Sequence, residues 1–319
     1  MKRRHTLLLP ALLAAPAVRA QTRRPRRVGY LHAVTIAPNN NTRQLFMPLW
    51  RRAGLVEEQS LFLRSAGGDA SRLPGLVEEM LRLDVSVIMA IGAEVLAACA
   101  RVTRSLPIVA VDLETDPVAA GYAESLARPG GNITGLFMDQ PSMAGKWLDL
   151  LVEAAPRTRH IVFLWDPSTG PLQLAVAERQ AAQRGLTTQV MNWRQIQDFD
   201  QAFATLDAAR TGVVCLTAPG YSSVLPRLGP ALLARRLPCV TFLSSFLGGG
   251  ILLGYGPDQP QFWGLAMPMV ERILAGESPA TMPIERPRRF HFVVDLRAAA
   301  TLGLAMPHTL LAQADEVIE

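Results

Sequence analysis

Short apolar runs and amphipathic helical stretches alternate along almost the whole chain, and few folds satisfy that alternation. In the first half, strands are expected at Arg27–Leu31, Leu61–Arg64, Val85–Ile91 and Pro107–Val111, with helices between them. The runs are apolar at successive positions, as in VSVIMAI over Val85–Ile91, rather than at every second one. Strands of that kind are covered on both faces, which calls for a parallel sheet with helices on each side. One intervening helix, Asn41–Ala53, stops at Gly54. The next, introduced by Asp69 and Ser71, sets Leu73, Leu76, Val77, Met80 and Leu81 on one face.

The same grammar then recurs. Strands are expected at His160–Trp165, Thr188–Asn192, Gly212–Leu216 and Pro238–Phe242, separated by helices Leu172–Arg184, Phe199–Arg210 and Val224–Arg236. In a chain of 319 residues this predicts two doubly wound, Rossmann-like α/β lobes. The tail offers a strand at Ile251–Gly254, a helix at Gln261–Ala275, a strand at Phe290–Asp295 and a helix at Leu296–Leu302. These must complete sheets begun earlier, so the chain has to pass between the lobes more than once.

The N-terminus speaks to location. Lys2, Arg3 and Arg4 precede an apolar segment, Leu7 to Val18, and Val18-Arg19-Ala20 places small side chains at cleavage positions. A secretory signal peptide over residues 1–20, cut near Ala20, is expected. A membrane span needs about 20 apolar residues, and this segment is shorter and holds Pro10 and Pro16. The Arg3-Arg4 pair leaves the general secretory and twin-arginine routes both open. No cysteine lies just after the segment, so a periplasmic chain without a lipid anchor is expected. The net charge of +5 drops to +1 without Lys2, Arg3, Arg4 and Arg19. It drops to −3 without Arg23, Arg24, Arg26 and Arg27 as well, so no nucleic-acid partner is expected.

In open α/β sheets ligands meet the carboxyl ends of strands, so polar residues just past each strand are the candidates. They are His32 and Thr35, then Ala93 and Glu94, then Asp112 and Asp116, then Asp166 and Ser168, followed by Tyr221, Ser244 and Tyr255. Asn132 and Thr134 join them from the turn cluster Arg128-Pro129-Gly130-Gly131-Asn132, which reads as part of a hinge. A short helical pattern is expected between Asp116 and that cluster. Asp116-Pro117 and Asp166-Pro167 also suit helix N-caps followed by proline, so capping and ligand contact both stay open for them. His32 is either ligand-facing or an ordinary loop histidine. Gly248-Gly249-Gly250 reads as a tight turn. Cys215 and Cys239 fall in neighbouring strands and read as buried free thiols, and three cysteines make no disulfide framework. A phosphate loop, a nucleophile elbow and a zinc-protease pattern are all absent from the sequence, and no cofactor or metal is expected.

Several of these segments resemble the ABC-transporter substrate-binding protein family, in its tryptophan-binding, TrpX-like group. They are Pro107-Ile108-Val109, Asp116-Pro117-Val118, the run SLARPGGNITG over Ser125–Gly135, Leu253-Gly254-Tyr255-Gly256, Gly303-Leu304-Ala305-Met306-Pro307 and the acidic end Ala314–Glu319. The resemblance implies the type I periplasmic-binding fold. Its first lobe would be residues 26–137 plus 255–284, its second 138–254 plus 285–319, with crossings near Phe137-Met138, Tyr255 and Pro283 to Pro287. It also implies a monomer that clamps a small organic ligand, amino-acid-like or aromatic, and docks on an inner-membrane ABC permease. No chemistry on the ligand is implied. One departure is Ala93-Glu94, where many relatives carry a small hydroxyl residue after the glycine of the third strand; a carboxylate there either reads a ligand amine or guanidinium or points to solvent. The rival readings are a secreted hydrolase or isomerase using cleft carboxylates, and an orphan sensory receptor with the same cleft.

Overall fold

The computed structural model describes residues 26–36, 41–112, 115–138, 140–169, 171–216, 221–242, 247–258, 261 and 264–319. The expected leader, residues 1–20, lies outside them. Strands β1 (Val28–His32), β2 (Leu61–Ser65), β3 (Val87–Ile91), β4 (Ile108–Asp112) and β5 (Ile133–Phe137) form one sheet in the order β2-β1-β3-β4-β5. Every neighbouring pair in it is parallel. β1, β3, β4 and β5 are buried at all five positions, which suits sequences that are apolar apart from His32, Asp112 and Thr134.

A second sheet takes the rest. It holds β6 (His160–Trp165), β7 (Thr187–Asn192), β8 (Thr211–Cys215), β9 (Cys239–Thr241), β10 (Leu253–Pro257), β11 (Phe290–Asp295) and β12 (Glu316–Ile318). The order is β12-β11-β10-β9-β8-β6-β7, with β10 and β11 the antiparallel pair. The molecule is therefore a two-lobed, doubly wound α/β protein, as the alternation predicts. A core of Leu31, Phe62, Val77, Met80, Leu96, Ile108 and Phe137 fills one face of the first sheet. On its other face Tyr30, Phe46 and Trp50 begin a larger core that runs through Met138, Met143 and Trp147 into the second lobe.

The chain passes between the sheets three times. Met138 still donates its N–H to the Asp112 carbonyl of the first sheet, whereas the helix Ala144–Ala154 already packs on β8, β9 and β10. β10 stays paired with β11 as far as Pro257 opposite Phe290, so the second passage starts after Pro257 and not at Tyr255. The helix Ala266–Leu274 returns to pack on β3, β4 and β5. Glu285 then bridges Leu136 of β5, and the chain crosses a last time into β11.

Local differences have local causes. The stretch after Asp116 is a turn instead of a short helix: Gly121 sits at φ 73°, and the N–H groups of Tyr122 and Ala123 both return to the Pro117 carbonyl. The helix from Phe199 ends at Phe203, short of the expected Arg210, and Asp207 accepts the Ala209 N–H in the turn beyond it. The triple glycine is a turn, with φ of 87°, 110° and 116° at Gly248, Gly249 and Gly250. It admits the helix Leu225–Ala234 backbone to backbone, because a Cβ at Gly229 would stand 1.7 Å from the Gly249 carbonyl oxygen. Cys215 and Cys239 are buried free thiols with their sulfurs 3.3 Å apart. Among the described residues no helix is long and apolar enough to cross a membrane.

Candidate functional site

Parallel register lines up the carboxyl ends of the first sheet. His32 lies opposite Ile91, Ile91 opposite Val111, and Asp112 opposite Phe137. His32, the Ala93-Glu94 helix start and Asp112 therefore crown one lobe. In the second sheet Trp165 lies opposite Asn192, so Asp166 and the Trp193-Arg194 turn crown the other. The two crowns meet: the helix Ala93–Val102 touches the turn Pro167–Thr169.

The chemistry at that meeting is ionic. Asp166 is 1% exposed, and its carboxylate accepts a hydrogen bond from Arg194 Nε in an ion pair. The Asp166 carbonyl accepts from the Thr169 N–H and hydroxyl, bracing the turn. The Arg194 guanidinium lies over the Trp193 ring, 4.9 Å from its centroid, and Trp193 meets Tyr221 edge-on at 5.5 Å. Glu94 stands across the gap. Burial, then the nearby Asp166 charge, push its carboxyl above the usual range, and Arg194 opposes the shift. Among the described residues Glu94 has neither a hydrogen bond nor an ion pair.

The other candidates are dispersed. His32 is 5% exposed, and the Val34 N–H donates to its Nδ1 at 3.1 Å. Thr35 is exposed beyond β1, and Ala93 is half-buried. Asp112 is fully buried and accepts from the Thr115 N–H at 3.0 Å and hydroxyl at 2.7 Å. Asp116 is exposed and accepts from the Val118 and Ala119 N–H groups, which is capping. The side chain of Ser168, and Ser244 as a whole, lie outside the described residues.

Four expectations need correction. Asn132 and Thr134 sit at the amino end of β5, opposite the strand ends that face the gap. Asn132 Nδ2 donates to the Leu106 carbonyl at 2.7 Å. Thr134, with no exposed surface, donates to the Met282 carbonyl at 2.8 Å, so the pair ties down the returning segment. Tyr221 is core, 2% exposed against Trp193 and Cys215. Tyr255 stacks on Phe290 at 5.6 Å with Lys146 over its ring, and its carbonyl accepts from Trp147 Nε1 at 2.7 Å. Arg194 and Trp193 are the residues not anticipated, although the strand-end rule applied to β7 points straight at them. Among the described residues no three His, Cys, Asp or Glu side chains are grouped to hold a metal ion.

Two sheets with facing carboxyl edges, joined by three passages, define a bilobed type I periplasmic-binding fold. Solved structures bear this out. A conserved domain protein of Vibrio cholerae superposes with a TM-score of 0.78 at 21% identity, over 91% of this chain and 99% of that one. An ABC domain in complex with L-Trp from Streptococcus pneumonia gives 0.75 at 20% identity, over 92% and 99%. Residues 51–318 match the family model described as ABC transporter substrate binding protein, and the chain belongs to that family. A curated relative, the tyrosine-binding protein of Clostridioides difficile, is 22% identical over 69% of this chain, and the match spans 64% of that relative's length.

Two measurements test the site. Arg194→Ala leaves the Asp166 carboxylate buried without its cation and should cost roughly 3 kcal/mol in urea unfolding; a loss below about 0.5 kcal/mol would mean water already compensates Asp166. Burial also holds the His32 imidazole down at about 4, against an ordinary 6.5. The unfolded chain then binds a proton that the folded one refuses, so stability falls as pH drops from 6.5 to 4. The His32 share is about 3 kcal/mol and is absent above pH 6.5. His32→Gln should flatten the curve in that window; parallel curves would contradict it.

Proposed function

We propose that the chain is a periplasmic receptor that closes its lobes on a small organic molecule and delivers it unchanged to a membrane permease. The observation that carries this is the meeting of Glu94 from one lobe with Asp166 and Arg194 from the other. Charged groups from separate sheets converge at the strand ends where α/β folds take ligands. Residues 26–137 with the returning segment up to 284 form one gripping body. Residues 138–257 with 285–319 form the other. Ligand favours the closed arrangement only by the contacts it gains there and lacks in the open one. The leader-like residues 1–20 support export, and family membership supports the permease as partner.

An amino-acid-like or aromatic ligand is supported by the relatives named for tyrosine and solved with L-Trp. A thermal-shift screen over amino acids, aromatic acids, nucleosides and short peptides tests the reading. A true ligand at 100 times its dissociation constant adds about 2.7 kcal/mol to stability, and mass spectrometry should recover it intact. A compound that emerges hydrolysed or isomerised, or a screen with no stabilising compound in any class, would overturn the proposal.

A further inference from the structure

Glu94 is a carboxylate placed where carboxylates are costly. It is half-buried in the first turn of the helix Ala93–Val102 and faces the turn that carries Asp166. Among the described residues, the second-lobe cation that acts on Glu94 is Arg194, which already donates its Nε to Asp166 and spreads its guanidinium over Trp193. Counting Glu94, Asp166 and Arg194, the meeting point carries one negative charge in excess. Nothing among the described residues neutralises Glu94. The neighbouring Trp193 is 4% exposed, and its buried indole N–H has no hydrogen-bond partner among the described residues. A half-buried charge without a partner and a buried donor without an acceptor are both unfavourable unless another molecule supplies what is missing. Glu94 and Asp166 are like charges, so each disfavours the other where the two strand-end faces meet.

We propose that Glu94 makes lobe closure conditional on a positively charged group in the ligand, an ammonium or guanidinium received opposite the Asp166–Arg194 pair. This rests on the clamp reading above and adds to it the charge class of the solute. A neutral or purely anionic molecule of the same shape leaves Glu94 desolvated and unpaired, and is rejected by that penalty rather than by shape.

The test uses matched pairs that differ only in the amine. Tyramine is compared with 4-hydroxyphenylethanol, tyrosine with 3-(4-hydroxyphenyl)propionate, and putrescine with 1,4-butanediol, by calorimetry on the intact chain at pH 7.5. The amine member of at least one pair should bind at least tenfold tighter than its partner. Glu94→Gln should shrink that ratio by tenfold or more, and Glu94→Asp should retain most of it, with circular dichroism confirming that both variants fold. Deaminated partners that bind as tightly as the amines, or an unchanged ratio in Glu94→Gln, would overturn the assignment to Glu94 and leave the clamp standing. If no member of any pair binds while the wider screen finds a neutral or anionic ligand, the charge class is wrong. If no compound of any class binds, the clamp reading fails and this inference falls with it.

Discussion

A carboxylate removed from water must be answered by a cation or by donors, and Asp166 is answered by Arg194 across two strand ends of one sheet. That pairing fixes the turn Pro167–Thr169 and the turn Trp193–Gln195 against each other. It also fixes the face that the second lobe offers to Glu94. A buried ion pair is poor evidence for stability, because its desolvation offsets most of the attraction. Its value here is positional: it holds Arg194 against Asp166, so the second lobe presents a paired charge to Glu94.

The rest of the architecture holds that face in place. The three passages between sheets are tied at their ends by backbone and side-chain bonds, beside the core that runs on through Met138, Met143 and Trp147. Thr134 and Gly130 receive the segment 279–285 through the Met282 and Ala280 carbonyls. Glu285 exchanges backbone hydrogen bonds with Gly135 and Phe137, and Trp147 Nε1 anchors the Tyr255 carbonyl within β10, just before the second passage. Anchors of this kind suit a hinge, in which a few residues near element ends absorb the rotation. The run SLARPGGNITG is thus an attachment at the amino end of β5, away from the carboxyl strand ends.

How much of this was legible depended on the physics of each element. Buried parallel strands announce themselves by unbroken apolar runs, so β1, β3, β4, β5, β6 and β8 could be read directly. β7 could be placed, but its exposed, mixed sequence TTQVMN gave its end little prominence, and Arg194 was passed over there. β12 is three residues long and exists only because Glu316 to Ile318 pair with β11, a tertiary fact with no local signal. Glu94 and Asp166 could be placed because the position just past a strand end follows from where an apolar run stops, irrespective of residue type. Asn132 and Thr134 were misplaced because a strand's start was taken for a hinge facing the ligand. Tyr221 was misplaced because its partner Trp193 comes from another strand, and a loop aromatic in sequence becomes core only when that partner arrives.

The account depends on two bodies that close around a solute, and small-angle scattering measures that motion without reference to any single residue. Recorded with and without a stabilising ligand from the screen, the radius of gyration should fall on binding and return when the ligand is dialysed away. A radius that stays the same at saturating ligand, with the ligand demonstrably bound, would show that the lobes are a rigid unit and would contradict the clamp.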